Sequence, residues 1–297
     1  MLWVWFHSTG NKEIRFIYYL SNEDRAYCPV LIFIGEILMI LEEFDSDREA
    51  VINPGYFIEK NPDFPETCIA VFPWKTFNSI LDKFYTKKIA EIHNADGAFP
   101  VYKIIYNGKP YAFFKARLGA ASCAGTFEEI IAMGAKRIIL TGNCGVLDKK
   151  IESCGIIIPN RAIRDEGFSY HYAPSSDYID VNKKYIPEFE EILKQHGYCY
   201  TIGTTWTTDG FYRETKKKIE RRKEMGAICV EMECSAVQAV CDFRNVEFFQ
   251  YLFAGDNLDA PVWDPRSLSG HLDLDVKEKI VMLAFELAEK IEDSPCC

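Results

Sequence analysis

Four short segments of the chain carry side chains able to do chemistry. Glu231-Met232-Glu233 ends an apolar run. Two carboxylates at the end of a buried strand are costly to bury unless they find partners. A carboxylate can accept hydrogen bonds from both vicinal hydroxyls of a sugar. Strand alternation puts Glu231 and Glu233 on one side and Met232 on the other. Taken alone, the segment is better read as a helix start, because an acid favours the positive end of a helix. Gly255-Asp256-Asn257 follows the apolar YLFA. An Asp just past a buried strand is partly desolvated, which raises its pKa and makes it a usable proton donor. The alternative is an Asx turn or a helix cap. Gly142-Asn143-Cys144-Gly145 places small residues where backbone N–H groups can approach an anion or an oxygen closely. A tight turn has the same composition. TTWTTDGFYRET (204–215) puts Phe211 and Tyr212 in a polar loop, either to stack on a flat ring or to anchor the loop in the core.

These segments need strands and helices to hold them. VLIFIG (30–35) and CIAVF (68–72) read as buried strands, NPDFP (61–65) as loop, and 77–92 as a helix. VYKIIYNGKPYAFFKA has two strand-like runs around Asn107-Gly108, a strong hairpin signal. In AGTFEEIIAMGAKRIILTGNCGVLD, Thr126 and Glu129 predict a capping box, Gly134 a helix end and KRIILTG a strand running into a glycine loop. ETKKKIERRKEMG predicts a charged surface helix, AICVEM a buried strand, SAVQAVCDF a helix and VEFFQYLFAGD a strand. Ile280, Leu283, Ala284, Leu287, Ala288 and Ile291 predict an amphipathic terminal helix. The expected class is α/β, a single domain over 1–297 with a mixed central sheet flanked by helices and a divergent part over 1–100. In open α/β sheets ligands bind beyond the carboxyl ends of strands, where the four segments fall.

Composition narrows the class of activity. The 297 residues are 48% apolar and 26% charged, an ordinary globular mixture. A chain of this length buries roughly 75% of its unfolded surface and needs no disulfide or metal to hold a core. The acidic residues, 44 against 34 basic, give a formal charge of −10. A field of that sign repels nucleic acid and anionic membrane, while leaving room for a local basic pocket. The 11 cysteines include no CxxC pair, and the 5 histidines form no HxxxH or HExxH pair. Reduced thiols and no structural zinc are expected. The apolar run over 29–41 contains Glu36 and is too short to span a bilayer. The expectation is a cytoplasmic protein without a signal peptide or membrane anchor.

Taken in order, the segments from about residue 101 onward resemble the nucleoside phosphorylases of the purine nucleoside and uridine phosphorylase type. The resemblance rests on GAKRIILTGNCGVLD (134–148), IIIPNRAIRDEGFSYHY (156–172), TTWTTDGFYRET and VEMECSAVQAVCDF followed by AGDNL (254–258). It implies that phosphate attacks C1′ of a nucleoside through an oxocarbenium-like state and that the base leaves. It implies Glu233 on the ribose hydroxyls, with Glu231 beside it and Met232 against the sugar. Phe211 would stack on the base, with Thr208 and the Cys144-Gly145 backbone at its edge. Asp256 would protonate N7 of a purine. It also implies a nucleoside and inorganic phosphate as the small-molecule partners, no further cofactor, and a homo-oligomer, dimeric or hexameric.

The departures concern phosphate. The family has an Arg three residues ahead of a Ser or Thr where this chain has Leu140 and Asn143. Its N-terminal Gly-Asp-Pro loop is missing, and the flanks of Arg48 match poorly. Leu cannot replace a bidentate guanidinium. Phosphate contacts are therefore assigned to Gly142 and Asn143 with Arg117, in KARLGAAS, as the substitute cation; a surface or interface arginine is the alternative for Arg117. Three readings follow: a phosphorylase directed at purines, a nucleosidase using water, and a non-catalytic nucleoside or base binder.

Overall fold

The computed structural model describes residues 4–9, 12–19, 28–32, 39–268 and 273–293. The chain divides into two compact units, 1–43 and 44–297. The first contains an antiparallel sheet of β1 (Val4–Thr9), β2 (Lys12–Tyr19) and β3 (Cys28–Ile32), in that order. β3 covers the start of the strand expected over 30–35; residues 33–35 lie outside the described residues.

The second unit holds a ten-stranded sheet. Its strands are β4 (Thr67–Val71), β5 (Thr86–Asn94), β6 (Gly97–Tyr106), β7 (Lys109–Lys115), β8 (Arg137–Val146), β9 (Ile156–Asp165), β10 (Tyr178–Asp180), β11 (Tyr200–Thr208), β12 (Ala227–Glu231) and β13 (Glu247–Asn257). The path runs β10-β9-β11-β12-β8-β4-β7-β6-β5, and β13 pairs with both β8 and β9. That double pairing closes β8, β12, β11, β9 and β13 into a ring. The pairing is mixed: β4–β8, β8–β13, β9–β11 and β11–β12 are parallel, whereas β12–β8 and β13–β9 are antiparallel.

Helices cover both faces, so the central strands are apolar on both sides. Ile69, Val71, Ile139 and Tyr251 face α1 (Trp74–Lys83), α3 (Ile186–His196) and α6 (Leu274–Asp293). Cys68, Ala70, Ile138 and Leu140 face α2 (Ala120–Met133) and α5 (Cys234–Arg244). α4 (Lys216–Glu224) is the charged surface helix expected there, capped by the Thr215 side chain.

The Asn107-Gly108 hairpin forms as expected, with φ of 48° and 81° at its centre. Three local expectations are corrected. The helix over 77–92 is two elements, α1 and then β5. The helical apolar spacing of Phe77, Ile80, Leu81 and Phe84 stops at the extended Phe84, and pairing with β6 takes over the rest. Thr126 caps nothing: it is buried inside α2 and donates to the Ser122 carbonyl at 2.9 Å. The helix begins earlier, after Gly119, because Ala120, Cys123 and Ala124 already belong to its packed face. Finally, 142–145 is no loop but part of β8, paired with β13 throughout and with β12 at Gly145.

Candidate active site

The ring aligns parts of three of the four segments and leaves Arg117 outside the row. Trp206 on β11 stands opposite Val230 on β12, Val230 opposite Gly145 on β8, and Gly145 opposite Asp256 on β13. One row across four strands thus joins segments far apart in the chain. Glu231 lies one residue further on, opposite Thr207.

β12 ends at Glu231, and the chain turns before α5, so the strand alternation expected through Glu233 does not extend that far. Glu231 is directed into the protein. Its Oε1 accepts from Thr207 Oγ1 at 2.6 Å and Thr205 Oγ1 at 3.3 Å, and its Oε2 from the backbone N–H groups of Glu233 at 2.8 Å and Cys234 at 2.7 Å. Through Oε2 it satisfies N–H groups at the start of α5, a capping role. Glu233 is the residue just before α5 and is 4% exposed. Its Oε1 accepts from the Gly119 N–H at 2.6 Å, and its Oε2 from the Met232 N–H at 3.3 Å. Burial, and then the neighbouring Glu231 carboxylate, raise its pKa. With four donors on Glu231 and two on Glu233, a proton shared by this pair resides on Glu233. Met232, between them, is partly exposed.

Asp256 follows a bulge: Ala254 opposes Cys144, Asp256 opposes Gly145, and Gly255 is the extra residue. Such a bulge re-aims the side chain that follows it. Asp256 Oδ2 accepts from Trp263 Nε1 at 2.7 Å. Burial raises its pKa, against the lowering effect of the Trp263 hydrogen bond and the Arg266 charge.

The remaining expected residues fall as follows. Thr208 is buried at the end of β11, and its hydroxyl accepts from the Gly210 N–H at 3.3 Å. Phe211 is 46% exposed and Tyr212 87% exposed, their ring centroids 3.8 Å apart, so neither anchors the loop in the core. Cys144 is buried and its thiol pKa raised by burial. A Cβ at Gly142 would come within 2.5 Å of the Phe72 ring, and one at Gly145 within 2.4 Å of Leu258. Both glycines therefore answer to packing at the sheet and not to an open anion loop. Asn143, between them, is partly exposed. Leu140 is fully buried between the sheet and the α2/α5 layer. Arg117 pairs with Asp96, and its guanidinium lies 4.6 Å from the centre of the Phe99 ring.

Sequence reading missed several contributors. Gly119 supplies the shorter of the two backbone bonds to Glu233; the clue was a glycine just ahead of a run of small helical residues. Asp209, whose charge also raises the Glu233 pKa, sits in the quoted loop segment. Glu166 is buried and accepts from Ser235 Oγ at 2.9 Å, tying 166–169 to the first turn of α5. Trp263 carried no local signal. Among the described residues no group of three or more His, Cys, Asp or Glu is placed to hold a metal, and no helix is long and apolar enough to cross a membrane.

The mixed α/β unit carries an acid at the paired end of β13, at Asp256, and a carboxyl just before α5, at Glu233. Residues 68–291 match the model of the Phosphorylase superfamily, and the chain belongs to it. The purine nucleoside phosphorylase DeoD-type of Alkaliphilus metalliredigens is 25% identical over 160 residues, covering 52% of this chain and 66% of that protein. The chain thus spans just under two thirds of the length of that relative. Two solved structures share the fold. Uridine phosphorylase from Vibrio fischeri ES114 has a TM-score of 0.65 at 20% identity, covering 79% of this chain and 99% of that one. AMP nucleosidase from Bacteroides thetaiotaomicron VPI-5482 has a TM-score of 0.62 at 18% identity, covering 78% and 90%.

Proposed function

We propose that the protein is a nucleoside phosphorylase that cleaves the N-glycosidic bond of a purine nucleoside with inorganic phosphate, giving free base and ribose 1-phosphate. What supports this reading is that Glu233 follows β12 and Asp256 lies near the end of β13, two strands that both pair with β8 at Gly145, and that burial raises the pKa of both carboxyls. Groups perturbed by burial at a strand end are what acid–base chemistry requires. Glu233, fixed by the Gly119 and Met232 N–H groups, binds the ribose hydroxyls, with Met232 against the sugar and Glu231 holding the start of α5. Phe211 stacks on the base, and Thr208 and the Cys144-Gly145 backbone line its edge. Asp256 donates its proton to N7, since a purine anion is a poor leaving group. The relative named as a purine nucleoside phosphorylase and the Asp at 256 together favour purines over pyrimidines.

Phosphate is assigned to Asn143, partly exposed in β8, and to Arg117, while Gly142, packed against Phe72, is left without a phosphate contact. Arg117 is largely covered, its side chain 16% exposed, but its partner Asp96 is 68% exposed and can give up the pair to a dianion. The protein works in the cytoplasm as a homo-oligomer, without a metal or other cofactor.

A second reading rests on Leu140. Fully buried, it leaves no cation where the phosphorylases carry an arginine, and water needs none. Incubation with inosine or adenosine, with and without phosphate, separates the two. Ribose 1-phosphate supports phosphorolysis; free ribose formed at a rate indifferent to phosphate supports the nucleosidase; binding without turnover leaves only a nucleoside binder.

A further inference from the structure

The loop that carries Phe211 and Tyr212 is attached to the rest of the protein at its two stems. Both rings are exposed, and among the described residues every hydrogen bond made by 211–214 stays within 210–215. The stem on the strand side is β11, which ends at Thr208; the stem on the helix side is α4, which begins at Lys216. Thr208 stands opposite Asp165, the last residue of β9, so the loop leaves the sheet at the level of that carboxylate.

Both stems meet on one oxygen. Asp165 Oδ2 accepts from Trp206 Nε1 of β11 at 3.0 Å, and from Lys218 Nζ at 3.1 Å and Arg222 Nη2 at 3.0 Å, one turn apart on α4. The same two cations lie over the Trp206 ring, 5.8 and 5.4 Å from its centre. The loop itself adds a tie in return. The Asp209 N–H donates to the Asp165 carbonyl at 3.4 Å, and Asp209 Oδ2 accepts from the Gly167 N–H at 3.1 Å. The Asp165 and Arg222 side chains are 25% and 18% exposed, so salt and water screen this pair less than an open surface pair. Burial pushes the Asp165 carboxyl up, and the hydrogen bonds from Arg222 and Lys218 more than reverse this, leaving it ionised at neutral pH. Docking a surface helix takes a single ion pair. A carboxylate that joins the strand before the loop to two cations after it fixes the span between them.

We infer that Asp165 is the positioning residue for the base: by tying β11 to α4 it holds Phe211 where it stacks on the ring. The inference rests on the stacking reading above. An exposed ring on an untied loop loses its freedom only when the ligand binds, at a cost in affinity. With both stems held by Asp165, the loop is ordered on folding and the base meets a formed platform.

A double-mutant cycle on base affinity tests this, read by calorimetric titration of the full chain with whichever of adenine and hypoxanthine binds more tightly. Phe211→Ala should weaken binding by about tenfold, the order of one lost stack between an aromatic ring and a base. Asp165→Asn keeps the size of the side chain and loses its charge, and should weaken binding by about fivefold. In the Phe211→Ala background the Asp165→Asn loss should disappear, because Asp165 acts through the ring. A merely structural role gives the same loss in both backgrounds; that result, or no loss in either, would overturn the role of Asp165. If Asp165→Asn does not fold, Lys218→Met, at a side chain 33% exposed, takes its place in the cycle with the same expected and overturning results. A wild type that binds neither base, or a Phe211→Ala that binds as tightly as the wild type, would overturn the stacking reading and this inference with it. A cycle that fails while the Phe211→Ala loss stands would overturn this inference alone.

Discussion

The indole N–H of Trp263 donates to Oδ2 of Asp256 across 2.7 Å, so the proposed proton donor is held by a residue seven positions further along the chain. Burial drives the Asp256 carboxyl toward its protonated form, and this bond favours the ionised one. Trp263 therefore sets both the direction and the acidity of the group. Trp263→Phe keeps a ring and loses the donor. We expect kcat on purine nucleosides to fall about tenfold, less than the ~10²-fold that loss of the acid itself costs. Removing a donor to the carboxylate raises its pKa, so the alkaline limb of the pH–rate profile should move upward. Trp263 is 57% exposed, so the melting temperature should barely change. An unmoved alkaline limb would show that the bond does not tune Asp256.

Asp256→Asn removes the proton itself. Turnover of natural purine nucleosides should fall by ~10²-fold or more. A ribosyl substrate with an activated leaving group needs no proton and should retain most of its rate. Equal losses on both substrates would refute proton donation by Asp256.

Above its raised pKa of about 8, where Glu233 is ionised, Glu233→Gln should weaken discrimination for ribose over 2′-deoxyribose by about tenfold in kcat/KM, the order of one charge-assisted hydrogen bond. The same change bears on stability. Glu233 has a folded pKa above its unfolded value, so between the two the native state binds more protons and stability falls as pH rises. The variant should therefore melt higher than the wild type at neutral pH, with the gap closing as pH drops below the ordinary carboxylate range. Thermal melts at several pH values check the sign: a gap that widens on acidification would remove the raised pKa from the account.

Arg117→Ala asks whether phosphate is used and by which cation. Loss of the guanidinium should raise the KM for phosphate several-fold while leaving nucleoside affinity in place, because Arg117 carries the charge that Leu140 does not. A wild-type phosphate dependence in the variant would return Arg117 to Asp96 and Phe99 as a structural residue.

Local chemistry in the chain determined a good part of the fold. Asn107-Gly108 specifies its hairpin because two adjacent residues tolerate positive φ. The apolar run of β13, the glycine-ended charged helix α4 and the periodic stripe of α6 each carry their own period. The chemical types at 231–233 and 256 were likewise readable, because a carboxylate at the end of an apolar run is unusual enough to be noticed. Long-range pairing decided the rest. Residues 86–94 became β5 because β6 lay alongside to pair with them, and the segment 142–145 stayed in β8 because β13 pairs along all of it and β12 at its end. Glu231 and Glu233 are two residues apart and chemically identical. Only the tertiary structure gave one to Thr205, Thr207 and the start of α5, and the other to a backbone N–H 114 residues away. A side chain's role depends on which donors reach it, and those donors arrive from strands and turns that no local period can locate. For the same reason Trp263 did not stand out in the sequence: its indole acquires a role only because its N–H reaches Asp256.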